Sequence, residues 1–233
     1  MRRHRCQNCR VHDDFERDLA AAREQVDQLT RRLGADTMDE LVAALERQWA
    51  AERKLAAGLG EQYAQVIDIG PQWNTGAPLP HLVSNRSRVL LACLASRPDP
   101  DWDGTSVTVA SPDDENPSPF AVIELWGCAE LRFGGPTDDA LRRHPLHGRG
   151  LVGHRVHEVI NSRWIEEAIR VSAEHPSHAD GPLRHLHHYL LPFHDEMLEA
   201  LALGIESRLV RGTLREIMAD LTAALINEPY RAV

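Results

Sequence analysis

Apolar residues near the start of the chain recur with a 4-3-4-3-4 spacing: Phe15, Leu19, Ala22, Val26, Leu29 and Leu33. That spacing predicts a helix over 13–33 with all six on one narrow stripe, and such a stripe needs a second helix to cover it. Asp13 and Asp14 place negative charge at its start, and Gly34 offers a stop. Thr37-Met38-Asp39-Glu40 has the capping-box pattern. It opens a second predicted helix to about 57, with an extension toward 66, whose apolar positions include Met38, Leu41, Leu45, Leu55 and Leu59. Gln48 and Glu52 interrupt its seam, and Gly58 and Gly60 weaken the far end. The short Gly34-Ala35-Asp36 link favours an αα-hairpin. The heptad itself suits a parallel two-stranded coil, with Leu19, Val26 and Leu33 at a and Phe15, Ala22 and Leu29 at d. Asp18 and Arg23 then fall where they pair between chains. Both arrangements make residues 13–66 an association region, for self-association or for a protein partner.

The pattern changes after Gly70-Pro71, and the Pro, Gly and Asn content up to Pro80 reads as a linker. Period-two alternation and short apolar runs then predict strands at 88–95, 105–110, 119–126 and 130–133. The acidic stretch Ser111–Pro117 reads as the loop of an antiparallel hairpin. A strand at 153–160 precedes a helix over 163–174 capped by Asn161 or Ser162. Another strand follows at 186–193. Residues 196–205 fit a helix or a strand returning from the turn His194-Asp195-Glu196. Thr213-Leu214-Arg215-Glu216 is a second capping box, opening a helix to about Ile226 with Leu214, Ile217, Leu221 and Leu225 on one face. The organisation expected is α+β: a helical hairpin or coiled coil in 1–69, a linker at 70–80, and an antiparallel β-rich domain with two or three helices in 81–233.

Charge narrows the function classes. The formal net charge is -9, which disfavours a broad grip on nucleic acid despite Arg2, Arg3, Arg5 and Arg10. No apolar run approaches the roughly 18 residues of a membrane span, and residues 1–12 lack the apolar stretch of a signal peptide. The expected location is the cytoplasm, with Cys93 and Cys128 as reduced core residues.

Two groups of residues carry candidate chemistry. Cys6 and Cys9 form a C-x-x-C beside the first helix, flanked by His4 and His12. Two thiolates at that spacing can share a zinc ion, and a second pair from a partner chain would complete a tetrahedral site. The motif and its position resemble a zinc hook. A pair of unliganded reduced thiols and a redox pair are the competing readings, the latter without a thioredoxin-like βαβ context. The second group is histidine-rich: ten of the thirteen histidines lie between His144 and His194. His144, Pro145, His147, Gly150, His154 and His157 are echoed 31 residues on by His175, Pro176, His178, Gly181, His185 and His188. Strand alternation separates His154 from His157, so a metal site would draw one residue from each strand: His157, His188 and His194, with Asp195. His194 and Asp195, which Glu196 and Glu199 could join, are also the candidates for acid–base catalysis, against the reading of a charged turn. The competing reading is a set of surface and loop histidines held by local hydrogen bonds. A nucleophile elbow, a P-loop and a dinucleotide fingerprint are absent.

Pro80-His81-Leu82-Val83, Trp102-Asp103-Gly104-Thr105, His144-Pro145-Leu146, Asn161-Ser162-Arg163-Trp164-Ile165 and Phe193-His194-Asp195 carry a resemblance over about Gly76–Ser207. On these residues the chain resembles a group of uncharacterised bacterial proteins seen especially in actinomycetes. The resemblance implies a β-rich C-terminal domain and brings no activity with it. The function expected is a non-catalytic binding or assembly module. The alternative is a metal-dependent enzyme using the histidine and aspartate residues above.

Overall fold

The computed structural model describes residues 7–85, 87–96, 115–174 and 181–228. The architecture is α+β. Helices α1 (Gln7–Arg31) and α2 (Met38–Gly58) form an antiparallel hairpin. Two antiparallel sheets follow. One has the order β1 (Tyr63–Val66), β6 (His157–Ile160), β7 (His187–Pro192), β8 (Met197–Ala202), β5 (Glu130–Gly134). The other has the order β2 (His81–Ser84), β3 (Arg88–Leu94), β4 (Ser118–Trp126), β9 (Gly204–Gly212). Helix α3 (Arg163–Ser172) follows β6, and α4 (Leu214–Asn227) follows β9.

The sheets pack face to face. Val89, Leu91 and Cys93 of β3 and Ile123 and Leu125 of β4 meet Tyr189 and Leu191 of β7 and Leu198 and Ala200 of β8 in one buried cluster. The alternate residues Leu90, Ala92, Phe120 and Val122 face the other way, onto Leu214, Ile217, Leu221 and Leu225 of α4. With both faces covered, every residue of β3 is buried, which is why its sequence is an almost unbroken apolar run rather than an alternation. Thr213 and Glu216 form the expected capping box at the start of α4.

Several local expectations are corrected. Thr37 makes no side-chain cap to α2. Its hydroxyl instead accepts from the Gly34 amide at 3.0 Å, because residues 35–37 form a 3-10 turn that brings it back onto the link. The extension of the second helix toward 66 is replaced by β1, which pairs with β6 through Ala64↔Val159 and Val66↔His157. Asp13 and Asp14 lie beyond the first turn of α1, which begins at Gln7. The strand expected over 153–160 is confined to 157–160, since His154 adopts a left-handed φ of 56° that breaks the extended run. Residues 196–205 resolve into β8 and the start of β9. The strand expected at 105–110 and most of the loop at 111–117 lie outside the described residues.

The stretch 70–80 has no strand or helix of its own, yet it is pinned to the sandwich. Trp73 is buried against Phe193, ring centroids 4.8 Å apart, and Asn74 and Ser96 amides bond the Leu94 and Gln72 carbonyls. The hairpin docks at its base. Glu52 of α2 is buried and accepts from the Gly150 amide at 3.2 Å and from Gln48 at 3.0 Å, with Arg23 of α1 3.6 Å away. Gly150 has φ 84°, and a Cβ there would sit 2.6 Å from the Ala64 carbonyl. Only glycine permits this approach of loop, strand and helix.

Candidate functional site

The outer face of the five-stranded sheet holds a chain of polar side chains. β6 ends at Ile160, and Asn161 turns the backbone with φ 54°, a conformation asparagine tolerates better than most residues. Ser162 then caps α3, its Oγ accepting from the Ile165 amide at 3.3 Å. The same oxygen lies 2.9 Å from His188 Nδ1 on β7. His188 Nε2 lies 3.1 Å from Glu199 Oε2 on β8, and His144 Nε2 approaches Glu199 Oε1 at 3.6 Å. His144 Nδ1 accepts from the Leu146 amide at 3.2 Å. One proton arrangement satisfies the whole chain: Ser162 donates to His188, and both imidazoles direct Nε2–H at Glu199. Burial raises the Glu199 carboxyl, but the His144 and His188 hydrogen bonds and charges outweigh it and bring the value down to about 2.

An aromatic wall closes this cluster. Trp164 of α3 meets the His188 ring edge-on at 5.1 Å, donates Nε1–H to Glu130 at 2.7 Å, and lies under the Arg132 guanidinium at 3.8 Å. β5 pairs with β8 so that Arg132 stands opposite Glu199. A hydroxyl, an imidazole and a carboxylate in sequence form the arrangement that activates a serine nucleophile. Here Ser162 is 5 % exposed and one lone pair is occupied by the helix cap. The chain therefore clamps α3 and the 144–150 loop to the sheet.

A second group lies at the turn between β7 and β8. His194 Nδ1 is 3.0 Å from Asp195 Oδ1, and its Nε2 is 3.8 Å from Asp138 Oδ2. His154 Nε2 approaches the same Asp138 oxygen at 3.8 Å. The Asp195 hydrogen bond and the Asp138 charge raise His194 above its ordinary value, whereas burial lowers His154 against the pull of Asp138. His154 Nδ1 and Trp73 Nε1 are buried without a hydrogen-bond partner and border one small cavity.

The sequence candidates are thus distributed over different surroundings. His157 and His188 share the outer face of the sheet, since His157 faces Leu190, two residues along from His188. His157 is fully buried, accepts from the Val152 amide at Nε2 (3.1 Å), and is pushed down by burial to about 4. His194 and Asp195 sit in the turn at the end of β7, bonded to each other. Among the described residues, no group of three or more His, Cys, Asp or Glu side chains is arranged to hold a metal ion. Cys6 and the Cys9 side chain lie outside the described residues, as do His175 and His178.

Ser162 was legible as a cap but not as a partner of His188, and Glu199 and His144 were not paired with it. The signal was the lone carboxylate among apolar residues in Met197–Ala202: as a strand, this segment puts Glu199 on the same face as Met197 and Leu201, where a charge needs partners. No helix is long and apolar enough to cross a membrane among the described residues. Comparison of the chain with protein-family models, curated proteins and solved structures gave no match.

Proposed function

We propose that the protein is a non-catalytic binding or assembly module, with the helical hairpin as its association surface and the sandwich as the body it carries. One observation supports this above the others: the hairpin covers its own seam only in part. Of the six seam positions five lie on α1, where Leu19 and Leu29 are buried and Phe15, Ala22 and Val26 are half-buried; Leu33, expected on the same stripe, falls past the helix end at Arg31 and is exposed in the link. An open groove runs between the helices, bordered by Phe15 and Ala22 on one side and Ala50 and Ala51 on the other. A narrow apolar stripe left open to water is covered by association. We place the module in the cytoplasm, where the free thiols of Cys93 and Cys128 fit a reducing compartment.

The rival reading, a metal-dependent enzyme built on His157, His188, His194 and Asp195, requires four side chains to converge, whereas His157 meets the Val152 amide, His188 meets Ser162 and Glu199, and His194 and Asp195 meet each other. Hydrogen exchange of the full chain at rising protein concentration tests the proposal. Association slows the amides of α1 and α2 as concentration rises, because the associated state must open before they exchange. Hairpin exchange independent of concentration, together with a stoichiometric metal lost in His188→Ala, would sink the module and favour the enzyme.

A further inference from the structure

We infer that the hairpin groove is filled by a second copy of this chain, the two hairpins packing face to face about a two-fold axis parallel to their helices. This rests on the association role proposed above and assigns its partner and geometry.

The levels of the two helices are fixed by contacts. A Cβ on Gly58 would meet the Phe15 ring at 3.0 Å, and Arg23 lies across from Glu52 at 3.6 Å. Asp18 and Lys54 therefore flank one end of the groove, Gln25 and Arg47 flank the other, and alanines including Ala22 and Ala51 form the floor between them. Small side chains let facing helices approach to the short end of the usual 8–10 Å range. A self-complementary interface must place the same patch on both chains, and two face-to-face arrangements do so.

With the axis parallel to the helices, α1 lies on the partner's α2 and levels are preserved. Asp18 then meets the partner's Lys54, and Lys54 meets the partner's Asp18. With the axis across the helices, levels are reversed. Lys54 then faces the partner's Arg47, and Asp18 faces the partner's Gln25. The first arrangement makes two opposite-charge pairs, while the second makes two like-charge contacts, which charge patterning selects against. Exposed pairs of this kind contribute little affinity each, so covering the Phe15 and alanine surface drives association and the charges choose the geometry.

Sedimentation equilibrium of the full chain at low salt tests this, with circular dichroism confirming that each surface variant is folded. The wild type is expected to dimerise. Asp18→Lys should weaken the dimer by at least about tenfold, equivalent to about 1.4 kcal/mol. Lys54→Asp alone should weaken it similarly, and the double variant Asp18→Lys/Lys54→Asp should restore it. A dimer indifferent to Asp18→Lys would overturn the geometry while leaving association intact. A dimer tightened by Lys54→Asp alone would overturn it in favour of the crossed arrangement. A wild type that sediments as one chain up to about 100 µM would overturn the second copy as occupant, and exchange protection independent of concentration would then count against the association role itself.

Discussion

Glu199→Gln tests the polar clamp on the outer face of the sheet. The carboxylate receives His188 Nε2 on one oxygen at 3.1 Å and faces His144 Nε2 from the other at 3.6 Å. Its value falls from an ordinary 4.5 to about 2 in the folded chain, burial opposing the shift and the two imidazoles prevailing. A depressed carboxyl adds stability that is complete above the unfolded value and is lost as pH falls through the folded one. By this linkage the depressed carboxyl contributes about 3 kcal/mol at pH 7 and about 1 kcal/mol at pH 3. The side chain is 19 % exposed, so solvent screening removes only part of this. Glutamine keeps the shape but replaces one acceptor oxygen with an amide donor, which opposes one imidazole N–H. Urea unfolding followed by circular dichroism at pH 7 and pH 3 should give a wild-type advantage of about 3 kcal/mol that shrinks by about 2 kcal/mol in acid. An advantage near zero at pH 7, or one that does not change with pH, refutes the clamp.

Leu221, 2 % exposed under α4, should cost about 2–5 kcal/mol when replaced by alanine, read as a lowered urea midpoint. Arg88 and Glu124 form a buried pair at 2.8 Å, with Arg88 also donating to the Glu228 carbonyl; Glu124→Gln should cost about 3–5 kcal/mol, whereas the apolar pair Arg88→Met/Glu124→Leu should recover most of it. Burial holds His157 neutral down to about 4, against an ordinary 6.5. The unfolded chain therefore binds more protons between those values, and this residue withdraws stability as pH drops from 6.5 toward 4. Its imidazole resonances should stay fixed from about pH 8 to pH 5, and a midpoint near 6.5 would contradict the buried placement.

The sequence by itself determined the elements whose signals are local. The 4-3-4-3-4 spacing placed α1, Ser162 and Thr213 marked the starts of α3 and α4, and the apolar runs located β3, β4 and β7. These follow from side-chain periodicity and from caps that a few adjacent residues can satisfy. The α+β class followed from the change of period after residue 70. Cues of the same kind misled where another contact competed with them: the Thr37 hydroxyl turned back onto Gly34 within a local 3-10 turn, and 63–66 left the helix to pair with β6, a contact distant in sequence.

The tertiary structure alone decided which polar residues meet. Alternation placed His188 on a strand face, but its partners Ser162 and Glu199 arrive from the end of another strand and from the neighbour on the opposite side. Glu52 interrupts the apolar seam when read along α2, and it is retained because Gly150 presents a buried amide 98 residues away. A buried charge or imidazole must find a donor or acceptor wherever the fold brings one, and that pairing depends on strand order and register. Residues 13–31 encode a helix with a face to cover. The hairpin provides half of that cover, because two helices enclose only one side of a stripe and leave the groove between them open.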